Sequence, residues 1–192
     1  EYRMDQWPTL DDTMETTNTG QATAEALLEA FQKGAEPVHV SWIQLGPWNS
    51  PEGGGGLFTV GVCPYGIWVD PETGERFVDE LEDRRTRAQA ELRIGKDPEY
   101  PIVLADSTAA ENVRPGALED TLEQGIVYEF DSLEALANNF GIPYDGLAEQ
   151  IETYNGYVEQ GEDEQFGKPL PEDAEPLGTP PWYAMRLWPE IH

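Results

Sequence analysis

Residues 66–95 read GIWVDPETGERFVDELEDRRTRAQAELRIG, and three kinds of local structure follow one another along that stretch. GIWV is apolar and β-branched, which suits a short buried strand. Pro71 presets a turn and Gly74 can take the positive φ that closes it, so VDPETGERFV predicts a hairpin. Behind the hairpin Leu81, Ala88 and Leu92 share one side at helical spacing, and Gly95 ends the helix. Short strands running straight into a helix, with no regular βαβ rhythm, predict an α+β fold.

The same stretch is unusual in charge. The protein has 192 residues, 38 acidic and 11 basic, for a formal net charge of −27. Six of the basic residues (Arg76, Arg84, Arg85, Arg87, Arg93, Lys96) fall between positions 76 and 96, where five acids accompany them. Two explanations are open. Arg84 can pair with Glu80 at i, i+4 on a solvated helix face, with Arg87 one turn further along. Alternatively, the arginines gather where an anion must bind.

Composition narrows the classes. The length fits one ordinary domain able to bury a core, and 39% hydrophobic with 10% aromatic residues argues against disorder. A strongly acidic chain repels nucleic acid and anionic membranes, which demand a broad basic face. Cys63 is the sole cysteine, so there is no intrachain disulfide and no Cys/His group with zinc spacing. No run approaches the roughly 18 apolar residues of a membrane helix. The acidic surface favours an exported or cell-envelope protein over a cytoplasmic one. The chain opens on EYRMDQWPTL and closes on WYAMRLWPEIH, ends that read as those of a piece cut from a longer protein.

Elsewhere Ala24, Leu27, Leu28 and Phe31 predict a helix over about 22–33 with Gly34 behind it. PVHVSWIQL alternates around Val38, Val40 and Trp42 as a strand. GPWNSPEGGGG, residues 46–56, reads as the most mobile internal loop, and LFTVGV as a further short strand. YPIVLADS predicts a buried strand, and GIVYEFDSLEALANNFGI a strand and a helix capped by Asp131 or Ser132. Leu147, Ile151, Tyr154 and Val158 mark a longer amphipathic helix, and WYAMRLW a last strand. The helical faces at 24–31, 81–92 and 147–158 are expected to close the core with the strands. Trp42, Trp48, Tyr65, Phe58 and Trp68 suit either a core or an aromatic-walled pocket; Trp48, in a Gly- and Pro-rich loop, suits the pocket.

Three stretches in order, NTGQATAEALLEAFQKGA…VSWIQ, GIWVDPETGERFVDELEDR and DSLEALANNFGIP…LAEQIETYNGYVEQGEDEQFGK…PPWYAMRLWPEIH, resemble the capping domain of the FAD-dependent fumarate reductase and flavocytochrome c family. That family includes 3-oxosteroid dehydrogenases and urocanate reductase-like enzymes. The resemblance implies a compact capping domain of mixed helices and short, mostly antiparallel strands. It divides the chain into residues 1–35, returning from an FAD-binding domain, the cap at 36–181, and a strand at 182–192 leading back. No GxGxxG follows a strand anywhere, so the FAD-binding halves are expected outside this chain, and the chain alone is expected to be inactive.

The resemblance also implies roles. Arg84 falls on the family's proton donor, which adds a proton to one alkene carbon as reduced FAD gives a hydride to its neighbour. Gly46 stands where fumarate-reducing members have a substrate histidine, and Phe58 and Thr59 stand at a Thr-Glu pair, with Val62 at the arginine near it. The dicarboxylate clamp is therefore not preserved. His192 aligns with the first of two histidines, and Trp48 is expected to wall the substrate pocket. Gly20 and Gln21 occupy a Gly-Asp-Gly that contacts FAD, with Gln21 in place of the acid. The implied partners are an unsaturated acid or carbonyl substrate, the protein's own FAD-binding domain and an electron-donor protein. A 3-oxosteroid dehydrogenase-like cap is the alternative within the family, and a non-catalytic acidic binding module the alternative outside it.

Overall fold

The structure, a computed structural model, describes residues 14–39, 43–95 and 100–192. Val40, Trp42 and Lys96 lie outside these residues, and with them the middle of the strand expected in PVHVSWIQL. The described elements run α1 (Glu25–Gln32), β1 (Leu45–Asn49), α2 (Gly56–Val62), β2 (Ile67–Val69), α3 (Arg84–Ile94), β3 (Ile102–Asp106), α4 (Ser107–Ala110), α5 (Ala117–Glu123), β4 (Tyr128–Phe130), α6 (Leu133–Phe140), α7 (Tyr144–Gln160), β5 (Trp182–Arg186) and β6 (Trp188–Ile191). This is the expected α+β fold.

The body is a four-stranded sheet ordered β2-β3-β5-β4, antiparallel at each pairing. Ile67, Trp68, Val69, Val103, Leu104, Ala184 and Met185 are buried in it. Near-continuous apolar runs are what a sheet covered on both faces requires. Leu136 of α6 and Leu147, Ile151 and Tyr154 of α7 belong to the same core. Ser132 caps α6, its hydroxyl accepting from the Ala135 amide at 3.1 Å. A second, two-stranded sheet pairs β1 with β6, and the buried Leu45 and Ala88 bring α3 against it with Ile191 and Leu92 beside them.

Five expectations need correction. Leu81 precedes α3 and is exposed, so it does not share the buried face with Ala88. LFTVGV is the helix α2, not a strand: Gly55, at φ 82, turns the chain into it, and Phe58 and Val62 are buried one turn apart. The 46–56 segment is not an irregular loop. Its first residues form β1, and a turn follows in which the Ser50 amide donates to Gly54 O and the Gly53 amide to Ser50 O, both at 2.8 Å. Gly55 packs so near Met185 and Ile126 that a Cβ would collide with them, so burial offsets the entropy cost of ordering glycine. Helix α1 forms as expected but takes no part in the core, with Leu27 and Leu28 49% and 41% exposed. Finally, the last segment is two strands in different sheets, β5 in the body and β6 against β1.

Candidate active site

Asp83 starts the arginine helix by accepting from the amides of Arg85 and Thr86 at 2.8 and 3.1 Å. An acid in that position complements the positive end of the helix dipole. Arg84, Arg87 and Glu91 then stand at i, i+3 and i+7, on one stripe of α3. Exposure falls along the stripe from exposed Arg84 to half-buried Arg87 to fully buried Glu91.

Glu80 is not the partner of Arg84. It lies wholly buried in a four-charge cluster with Arg76, Asp163 and Lys168. Arg76 binds Glu80 through Nε and Nη2 at 2.9 and 2.8 Å, and Asp163 through Nη1 and Nη2 at 3.1 and 3.0 Å. The Lys168 ammonium sits 3.3 Å from Glu80 and donates to Gly66 O and Tyr154 Oη at 2.6 and 3.1 Å. Burial alone would raise the Glu80 carboxyl, but Lys168 and Arg76 together hold it below its ordinary value. Two cations and two anions cancel, which is how such groups tolerate burial.

Arg84 instead stacks on Trp48, its guanidinium carbon 4.6 Å from the indole centre. No carboxylate among the described residues is paired with it. Trp48 is set by two glycines: a Cβ at Gly46 would come 3.2 Å from Cε2, and one at Gly56 3.0 Å from Cδ1. His192 meets the indole edge-on, ring centres 5.7 Å apart, and its Nδ1 is hydrogen-bonded to Thr17 Oγ1 at 2.9 Å. Glu190, opposite Gly46 in β6, is pushed above its ordinary pKa by burial, against the pull of its hydrogen bond to Asn49.

Of the residues singled out in the sequence, Arg84, Gly46, Trp48 and His192 thus come together. Phe58 and Thr59 do not join them as pocket lining. Both are fully buried, Phe58 in the main core and Thr59 with its hydroxyl donating to Gly55 O at 3.4 Å, so neither offers surface to a ligand. Glu91 and Glu190 had not been anticipated; the i, i+3, i+7 spacing from Arg84 was the available signal for Glu91.

A family model described as an FAD binding domain matches residues 3–192. The chain belongs to this FAD-binding family. Among its curated relatives, the acrylate reductase flavoprotein subunit of Shewanella woodyi is 39% identical over 99% of this chain and 38% of its own length. A probable fumarate reductase of Shewanella frigidimarina is 30% identical over 96% of this chain and 30% of its own. The open conformation of a flavocytochrome c3 fumarate reductase superposes with a TM-score of 0.72 at 28% identity, covering 96% of this chain and 31% of that one. A 3-ketosteroid Δ1-dehydrogenase from Sterolibacterium denitrificans shares the fold, with a TM-score of 0.67 at 23% identity over 91% of this chain and 36% of that one. The chain therefore spans well under half the length of these relatives. FAD is the cofactor of the family; Gly20 has open space where a Cβ would lie and Gln21 is exposed. No described helix is long and apolar enough to cross a membrane.

Proposed function

We propose that this chain is the substrate-capping part of an FAD-dependent reductase acting on a carbon–carbon double bond conjugated to a single carboxylate. One observation carries the reading. In a chain with 38 acidic residues, the exposed guanidinium of Arg84 is turned onto an indole and left without a carboxylate among the described residues. An arginine so placed is reserved for an external anion.

The chemistry needs two deliveries. Gly20 and Gln21 would contact FAD, which when bound would supply the hydride for one alkene carbon. Arg84 holds a proton at its Nη atoms for the neighbouring carbon, an N–H bond breaking as the C–H bond forms; solvent later restores the guanidinium. Trp48 covers one face of the Arg84 guanidinium and fixes its plane, leaving the edge of the fork to the substrate anion. Gly46, beside Trp48, offers no side chain for a second carboxylate, so an acrylate-type acid fits better than fumarate. The divisions at 1–35, 36–181 and 182–192, inactivity of the chain without FAD-binding parts, an exported or envelope location and a separate electron donor belong to the same proposal.

The test is anaerobic reoxidation of the reduced full-length flavoprotein by acrylate, fumarate and a 3-oxosteroid enone. Acrylate is expected to reoxidise the flavin fastest. Preference for fumarate would refute the single-carboxylate assignment, preference for the steroid would favour the 3-oxosteroid reading, and no reaction with any would favour a non-catalytic module.

A further inference from the structure

Arg87 differs from the other buried or half-buried cations described. Arg76 and Lys168 are paired with carboxylates at 2.8 to 3.3 Å, and Arg186 reaches Glu52 at 3.3 Å. Arg87 has no carboxylate partner among the described residues. Its Nη1 donates to the backbone oxygen of Glu80 at 3.0 Å, and its Nε is buried without a hydrogen bond. Its guanidinium carbon lies 5.7 Å from the Trp68 ring centre and 5.9 Å from that of Trp48, the indole that also carries Arg84. The acid on its own stripe, Glu91, is fully buried, and neither carboxyl oxygen has a hydrogen bond.

We infer that Arg87 is a second anchor for the substrate carboxylate beside Arg84, and that Glu91, buried without a partner one turn behind it, leaves the charge of Arg87 uncompensated. This rests on the reductase reading above. An ionised Glu91 would be an internal counter-ion and would compete with the substrate. Burial pushes its carboxyl well above the usual range against the pull of Arg87, which favours the neutral acid over the counter-ion. The other titratable groups nearby do not take that role. Burial pushes the Cys63 thiol up to about 12, Glu80 is bound by Arg76 and Lys168, Glu190 is hydrogen-bonded to Asn49, and His192 lies against Trp48. With Arg84 and Arg87 both facing Trp48, one carboxylate meets two guanidinium groups, while Arg84 keeps its proton near the double bond.

The experiment uses the full-length flavoprotein, with calorimetric titration by propionate as the saturated probe and steady-state kinetics with acrylate. For Arg87→Met, Kd and KM should rise about 10- to 100-fold, the cost of a hydrogen bond to a charged group, with a much smaller change in kcat; Arg87→Lys should fall between. A lowered Tm with unchanged Kd would make Arg87 a structural clamp and overturn the inference. In the wild type Kd should rise as pH is raised through the titration of Glu91. In Glu91→Gln, which keeps the shape of the neutral acid, it should stay flat. A variant that follows the wild-type slope also overturns the inference, and this arm decides the matter if Arg87→Met does not fold. If the wild type reduces no unsaturated acid, the reductase reading itself falls and this inference with it. If acrylate is reduced while Arg87→Met binds propionate as the wild type does, only the inference falls.

Discussion

Arg76 grips Glu80 through two parallel hydrogen bonds, 2.9 and 2.8 Å long, with both side chains out of contact with water. That grip decides how the arginine-rich stretch works. Glu80 is the natural i, i+4 partner of Arg84, and its removal into the interior frees Arg84 to face Trp48. The hairpin supplies the cation that captures Glu80, and the helix that follows presents the cation left over.

The cluster predicts an acid-sensitive fold. Glu80 and Asp163 are held below their ordinary pKa values, burial acting upward and the bound cations downward. A depressed folded pKa contributes stability that is complete above the unfolded carboxyl range of about 4 and is lost as pH falls through the folded value. Glu80→Gln should cost about 3 to 5 kcal/mol at neutral pH, because it strands buried cations, and should flatten the acid limb of stability against pH. Urea unfolding from neutral to acid pH measures both; an unchanged limb would show that the cluster does not control acid unfolding.

Arg84→Lys should leave folding and flavin content intact while kcat with acrylate drops. The ammonium keeps the charge but not the planar fork. Loss of one donor to the developing charge costs on the order of 10² to 10³ in rate. Arg93→Lys, on the exposed last turn of α3, is the control and should change stability by no more than about 0.5 kcal/mol. Equal reoxidation rates for the two variants would remove Arg84 from the chemistry.

Gly56→Ala should disturb the site through Trp48. The added methyl would lie 2.7 Å from Asn49 Oδ1 and 3.0 Å from Trp48 Cδ1, so Asn49 must shift and the indole is crowded. A loss of about 1 to 3 kcal/mol in stability is expected from overpacking, with a fall in kcat/KM for acrylate. Gly178→Ala, with nothing within 4 Å, should do neither. Wild-type kcat/KM in Gly56→Ala would show that the position of Trp48 is immaterial.

Cys63 should be inert in the folded protein. It is buried, and its thiol is pushed up to about 12 by that burial, so thiolate is scarce at pH 8. Labelling by a disulfide reagent should proceed only at the rate of unfolding and accelerate with urea in step with the loss of structure. Fast labelling without urea would place Cys63 at the surface.

Much of the body was legible because its signals are local. The strands around Ile67 and Ile102, the Ser132 cap and the face of Leu147, Ile151 and Tyr154 follow from alternation, capping and helical spacing, and the structure keeps them. LFTVGV was misread because a short apolar run carries no decisive period, and Gly55 settles it only through a positive φ. The glycine run was misread because its ordering comes from Met185 and Ile126, far away in sequence. Arg84 was legible by family resemblance, and Trp48 by its place in a Gly- and Pro-rich stretch. The capture of Glu80 was not, since it depends on Asp163 and Lys168 arriving from beyond α7.

The order of the sheet has a consequence for synthesis. Strand β5 lies between β3 and β4 and pairs with both, so the body has no continuous sheet until residues 182–186 have left the ribosome. Until then β3 and β4 each present an open edge, and a nascent chain stalled shortly before residue 182 carries two sites for pairing with other chains. Shielding by a chaperone matters most over that interval, and a nonsense codon there would yield an aggregating product rather than a merely shortened chain.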